Sequence, residues 1–348
     1  MGLIEHLRKS YKLLILTSKL GEFKEGHWRN GDVECHKIPA MNRFFSISYN
    51  FFYSWNLLKF LQGVDFIHCF FDFPYCLLPF WLPFFKKPVF ITAHGTYSVM
   101  PFDRFKTKFF IKRAYKKAKK IFCVSNFTEK SILERVETDN TVVINNGIEY
   151  EKFLQPSLEK VNKGNKEKII LSVGVLKPRK GYHVSIPAVA KVKETYPNIK
   201  YYIVGGEPTK FYLELVRENK LEKTIEFLKD LSDNELIRLY YRCDLFLLTP
   251  VIINNNEFEG FGQVYLEAGA CGKPVIGTYN CGAEDAIVDG VTGFLVPQND
   301  IGKTSEVILK LLNSPELTER MGKNGKKRAQ QMTWGNMVKK YIEIYSAL

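Results

Sequence analysis

The sequence predicts an α/β protein of two doubly wound domains, each with a parallel sheet. Short apolar, β-rich runs recur along the second half of the chain, separated by amphipathic helical patterns. Those runs are apolar throughout rather than alternating, as strands covered by helices on both faces require. The first half repeats the rhythm less cleanly, and a polar stretch at 155–168 (QPSLEKVNKGNKEK) reads as the linker between the two. The expected division is an N-terminal domain at 1–155, a C-terminal domain at 156–332 and a last helix at 333–348, with the two domains facing a cleft. Sheets of this kind bind ligands beyond the carboxyl ends of their strands.

In the first half, strands are expected at 12–18 (KLLILTS), 33–40 (VECHKIPA), 64–70 (VDFIHCF), 88–95 (PVFITAHG), 120–125 (KIFCVS) and 141–147 (TVVINNG). Helical patterns cover 44–61 and 104–118. The apolar run at 66–85 (FIHCFFDFPYCLLPFWLPFF) is long enough to span a membrane, but it contains His68, Asp72, Pro74, Pro79 and Pro83. It therefore reads as a buried strand followed by a tightly packed helix or loop. In the second half, strands are expected at 168–176, 200–206, 224–228, 244–250, 274–278 and 293–297. Helices are expected at 183–196, 211–220, 233–243 and around Glu267. A final helix, Trp334–Ser346, could pack on either domain.

Seven scattered cysteines without a CxxC pair, in a chain of 348 residues, point to reduced, mostly buried thiols and a cytoplasmic setting. The opening MGLIEHLRKS has no apolar segment of the secretory type. Net charge is +13. Residues 1–150 hold 22 Lys and Arg against 13 Asp and Glu, or +9, leaving +4 for the remainder. The excess favours an anionic partner, either a small molecule or a membrane surface. No nucleic-acid-binding motif is present, so nucleic acid is the weakest candidate.

The most informative stretch is EFEGFGQVYLEAGACGKPVIGTYNCGAEDAIVDGVTG, from Glu257 to Gly293. Glu259 and Glu267 stand eight positions apart, the first in a loop and the second one to two turns into a helix. Gly260, Phe261 and Gly262 let backbone approach a ligand, and the helix that follows turns its first N–H groups and positive dipole end to the same place. This is an anion site with carboxylates at its mouth and wall. It suits a diphosphate carrying hydroxyl-rich groups and does not suit an apolar ligand.

These residues resemble the donor site of retaining glycosyltransferases of family 4, which have the two-domain GT-B fold. The likeness covers nearly the whole chain. Its most specific part is EFEGFGQVYLEAGACGKPVI, an E-x7-E motif with its usual flanks, followed by DGVTGFLV. The resemblance implies that Glu267 holds the ribose of a nucleotide-sugar through its two carboxylate oxygens. It implies that Glu259 faces the donor sugar, while backbone at Phe261 and Gly262 contacts sugar and diphosphate. Lys180, in SVGVLKPRKG with Gly174 and Arg179, corresponds to the diphosphate-binding lysine. His94, in ITAHG, is similar to the histidine that reaches the donor sugar. Asn146, Gly147 and the terminal MTWGNMVKKYIEIY are similar to the hinge turn and crossing-back helix. The donor would be UDP- or GDP-linked, with no metal expected, since no Asp-x-Asp is evident.

Two departures from the family pattern stand out. Val175 occupies the place of a usual arginine, with Lys177 or Arg179 as candidate substitutes. The chain also opens at GLIEHL, already near the first helix, so a first strand and its Gly-rich loop are expected to be missing. Simpler readings exist for single residues: Glu267 as a helix carboxylate, Glu259 as a loop acid, His94 as a strand-end core residue, Lys180 as a helix-entry charge. A Glu among Val264, Leu266, Ala268 and Ala270 would be expensive to bury for no purpose, and the site reading is preferred.

Nine cations lie within 104–120, among them Lys112, Arg113, Lys116, Lys117, Lys119 and Lys120, with no acid between them and aromatics interleaved. They read either as the solvated face of a helix or as contact with an anionic membrane or acceptor. The expected function is retaining transfer of a sugar from a nucleotide-sugar to a hydroxyl of a glycan or lipid-linked acceptor. Cell-surface polysaccharide or glycolipid synthesis is the setting, with the protein cytoplasmic and peripheral at the inner face of the membrane. The alternative is a protein of the same fold that binds membrane or partner with reduced or lost turnover. A sugar-nucleotide epimerase is less favoured, because it does not explain the full glycine-rich run.

Overall fold

The computed structural model describes residues 2–17, 33–37, 61, 63–70, 87–103, 105–155, 167–254 and 256–347. All but Leu61 of the helix expected at 44–61, most of the linker, and residues 71–86 in and just after the proline-rich run lie outside the described residues. The chain divides into two compact units, Met1–Ile144 with Met337–Leu348, and Asn145–Asn336.

In the first unit, strands β1 (Leu13–Thr17) and β2 (Val33–Lys37) pair in parallel. Strands β3 (Ile67–Cys69), β4 (Val89–Ala93), β5 (Lys120–Cys123) and β6 (Thr141–Val143) form a parallel sheet in that order. Strand β4 is buried along its whole length, as a central, doubly covered strand must be. Helices α1 (Gly2–Leu7), α2 (Thr96–Val99), α3 (Phe105–Lys117) and α4 (Asn126–Leu133) accompany these strands, with a 3₁₀ turn, Met100–Asp103, between α2 and α3. Asn140 caps the end of α3, its amide nitrogen donating to the carbonyls of Tyr115 (2.8 Å) and Ala118 (2.6 Å). Ser125 caps the start of α4 through the Thr128 amide.

In the second unit, strands β7 (Ile169–Val173), β8 (Lys200–Val204), β9 (Ile225–Leu228), β10 (Leu245–Leu247), β11 (Val275–Thr278) and β12 (Gly293–Val296) build one parallel sheet. Its order is β9-β8-β7-β10-β11-β12. The first strand of the unit is therefore central, and successive crossovers run first to one side and then to the other, as in dinucleotide-binding sheets. Helices α5 (Tyr182–Thr195), α6 (Lys210–Glu218), α7 (Asp233–Arg242), α8 (Gln263–Ala270), α9 (Ala283–Ala286), α10 (Ile301–Asn313) and α11 (Pro315–Gln331) accompany it. Ser232 and Glu235 form a reciprocal capping box at the start of α7.

The last helix, α12 (Trp334–Ser346), starts in the second unit and ends in the first. In the first unit Tyr341 and Tyr345 pack on Phe90 and Phe122, with centroids 4.6–5.9 Å apart. In the second unit Ile148 and Thr333 pair as a parallel bridge, and the Ile148 amide donates to Met332 (2.9 Å). Any side chain at Gly147 would strike the Trp334 backbone, at 2.4 Å from its nitrogen, which explains the glycine of the Asn146-Gly147 turn.

Candidate functional site

In the second unit's sheet, β7 and β10 are neighbours whose following connections depart to opposite sides. The crevice left beyond their carboxyl ends is where sheets of this order bind ligands. The loop after β7 runs through Gly174 and Val175 into a single 3₁₀ turn, Pro178–Lys180. Gly181 ends that turn with φ 73°, and a Cβ there would lie 1.6 Å from the Thr249 carbonyl oxygen. Only glycine permits this contact. Thr249 Oγ1 donates to the Gly181 carbonyl (2.8 Å), and the Val251 amide donates to the Arg179 carbonyl (2.9 Å). The segment after β10 thereby fixes the loop carrying Arg179 and Lys180.

Lys180 is 9% exposed and Glu259 8%, unusual burial for either residue type. The Lys180 ammonium donates to Glu259 Oε2, and Arg179 approaches the same oxygen at 3.4 Å. Two cations thus share one carboxylate, leaving an excess positive charge suited to an anion. The Glu259 loop is anchored by Phe258 and Phe261, each 2% exposed, and by the Gly282 amide donating to the Glu259 carbonyl (2.8 Å). With its ring in the core, Phe261 offers a ligand only backbone. Gly260 lies against Gly282 so closely that a Cβ on the latter would sit 2.1 Å from the Gly260 carbonyl oxygen.

Gly262 caps α8 in the left-handed region (φ 87°), and no side chain caps this end. The first helical N–H groups and the dipole therefore favour an anion. Glu267 lies on α8, half-buried, accepting a hydrogen bond from Tyr240 (2.8 Å). Burial raises its pKa above the usual carboxylate range, against the opposing effects of the Tyr240 hydroxyl and Lys152. Gln263 donates to the Gly147 carbonyl (2.7 Å) and ties the start of α8 to that turn.

Gly174, Arg179, Lys180, Glu259, Gly260, Phe261, Gly262 and Glu267 all belong to the second unit. Val175 is 58% exposed and contributes no charge, whereas Arg179, four positions on, reaches the acid. His94 belongs to the first unit, where it follows β4 at the carboxyl end of the sheet. Its side chain keeps solvent access while the surrounding protein desolvates it, and its pKa falls to about 4 despite a hydrogen bond with Phe70 backbone. The imidazole is neutral at physiological pH. Two residues of consequence escape sequence reasoning. Tyr240 reads as one more apolar position of α7 but holds Glu267. His68 bridges Tyr345 (2.5 Å) and Thr92 (2.7 Å), and burial then the nearby His94 lower its pKa to about 3.

The family model described as glycosyl transferases group 1 matches residues 155–328, half of the 348-residue chain. The chain belongs to the glycosyl transferases group 1 family. Residues 1–152 match the model described as Glycosyltransferase Family 4. An uncharacterized glycosyltransferase of Methanocaldococcus jannaschii is similar to this group 1 chain at 29% identity, covering 99% of it and 93% of the relative. The D-inositol 3-phosphate glycosyltransferase of Corynebacterium urealyticum is 30% identical over 59% of the chain and 51% of that enzyme, about half its length. Among solved structures, Anabaena HepE in complex with UDP and glucose superposes with a TM-score of 0.78 at 19% identity, over 97% of this chain and all of that one. WaaG, a glycosyltransferase involved in lipopolysaccharide biosynthesis, gives 0.73 at 18% identity, over 99% and 93%. At such identities the likeness shows the fold. It is GT-B, of two Rossmann-like α/β domains.

Proposed function

We propose that this group 1 glycosyltransferase moves a sugar, with retention, from a UDP- or GDP-linked donor to a hydroxyl of a glycan or lipid-linked acceptor. The observation that carries the reading is the buried cluster of Lys180, Arg179 and Glu259 at the switch point of the second unit's sheet. Complexes of Anabaena HepE with UDP-glucose and with UDP support a nucleotide-sugar donor. A capsular polysaccharide biosynthesis glycosyltransferase of Staphylococcus aureus, 29% identical over 61% of this chain, supports a polysaccharide setting.

The bond between the anomeric carbon and the diphosphate oxygen breaks with charge building on the diphosphate. Lys180, Arg179 and the open start of α8 stabilise that charge. The diphosphate competes with Glu259 for the cations, freeing the carboxylate to face the donor sugar. Glu267, held by Tyr240, accepts from the ribose hydroxyls, and neutral His94 hydrogen-bonds the donor sugar. The acceptor oxygen attacks on the face the diphosphate leaves, and its proton passes to the departing diphosphate oxygen. Two protein cations at the diphosphate perform the work of a metal, so turnover is expected to persist with a chelator.

NMR of the freshly formed product decides the stereochemistry. Retained configuration at the anomeric carbon is expected, and an inverted linkage would overturn the reading. The alternative, a protein of this fold with lost turnover, rests on exposed Val175 in the arginine position. It is favoured only if the donor binds and no glycoside forms with any acceptor class.

A further inference from the structure

Helix α3 presents a face that stability alone does not explain. Its inward stripe is Ile111, Ala114 and Tyr115, each fully buried, continued by Ala118 just beyond the helix. The opposite stripe runs through Phe105, Phe109, Lys112 and Lys116, at spacings of four, three and four that fall on one side of a helix. Phe105 is 94% exposed and Phe109 67%, one turn apart. Lys108, Arg113, Lys117 and Lys119 flank them and are exposed. Among the described residues, none of these cations makes an ion pair. The nearest preceding acid in sequence is Asp103, ahead of the helix start.

We propose that this face of α3 docks the protein on an anionic lipid bilayer, the two phenyl rings entering the interface and the cations meeting headgroup phosphates. Charge complementarity selects the partner: the field is cationic and uncompensated, so the surface it fits is anionic. The paired phenyls narrow the choice to lipid. An interfacial helix sets large apolar groups at the centre of a basic face, where they enter the acyl boundary. Because Ile111, Ala114 and Tyr115 are locked in the core, the outward rings cannot turn inward, and the free protein leaves them in water. Docking supplies the apolar surroundings they lack. The inference is independent of the donor chemistry.

The test is co-sedimentation of the full chain with vesicles of phosphatidylcholine alone or with a third phosphatidylglycerol, at about 0.1 M salt. Binding to the mixed vesicles and little to the neutral ones is expected. Lys112→Ala with Lys116→Ala should weaken partitioning about thirtyfold, at about fivefold per cation. Phe105→Ser with Phe109→Ser should weaken it at least tenfold while the melting temperature stays unchanged, since both rings are already exposed. As a second readout, Phe109→Trp should add emission that moves to the blue on vesicles and is quenched by brominated lipid. Unchanged vesicle binding by the Phe pair variant, or an added tryptophan that stays in water, would overturn the proposal. So would equal binding to neutral and anionic vesicles. Affinity for heparin or RNA that exceeds vesicle binding and ignores the Phe substitutions would assign the face to a polyanion instead.

Discussion

Lys180 has surroundings unusual for its residue type. A lysine on a helix-entry turn normally extends into water, yet this one is buried against Glu259 with Arg179 beside it. Removing one preorganised cation from a developing anion typically lowers turnover 10²–10³-fold, and Lys180→Ala is expected to do so in a donor-consumption assay. It should also lower stability, because Glu259 keeps only one partner. Adding Glu259→Gln should restore the melting temperature without restoring turnover; recovery of both would mean that the pair is structural. Glu267 carries the opposite signature. Burial raises its pKa above that of the unfolded chain. Such a carboxyl favours the folded state only while protonated, below the unfolded value, and that contribution is lost as pH rises through the folded value. Glu267→Gln is therefore expected to melt above the wild type at about pH 7, with the gap closing as pH falls toward about 4. Donor affinity should drop in the same variant, a site residue kept at the expense of stability. A variant that melts lower at neutral pH would show that Glu267 serves the fold.

Helix α8 and its glycine cap show how much of the site an element can reveal before the structure is seen. The spacing of Glu259 and Glu267, the glycines at 260 and 262 and the helix behind them were all legible. The pairing of both cations on Glu259 was not, because it depends on Gly181 bringing the loop after β7 against Thr249, which lies 68 residues away in sequence. Tyr240 was hidden for a similar reason, since a buried tyrosine on an amphipathic helix reads as core until its hydroxyl finds a partner. The second unit's strands follow from their apolar runs, but α10 and α11 do not appear in the sequence reading. In α11, Gly322 and Gly325 are poor helix formers. The structure gives them a packing purpose: a Cβ at Gly269 of α8 would lie 3.1 Å from the Gly325 carbonyl oxygen, so the two helices meet through their backbones. At the cap, Gly262→Ala would force a side chain into left-handed backbone and onto the Tyr265 ring, 2.6 Å away. It is expected to weaken nucleoside diphosphate binding more than tenfold in a calorimetric titration. Unchanged affinity would show that the start of α8 is not the anion site.

At the scale of the whole molecule, the family and the GT-B fold rest on both halves of the chain, while most of the candidate site residues lie in one. The second unit holds the cations, both carboxylates of the E-x7-E spacing and the helix start. The first unit holds His94 and the cationic helix α3. Val175 stands where the family resemblance expects an arginine; of the two candidate substitutes, Lys177 and Arg179, it is Arg179 that approaches Glu259 on the same loop. In the proposed function, the switch-point cluster of the second unit receives the diphosphate of a nucleotide-sugar. Calorimetric titration of the full chain with UDP, GDP and their sugar conjugates tests it most directly. One nucleotide series is expected to bind, with affinity reduced at least tenfold by Lys180→Ala and by Arg179→Ala. Binding of neither series, or binding that both substitutions leave unchanged, would contradict it.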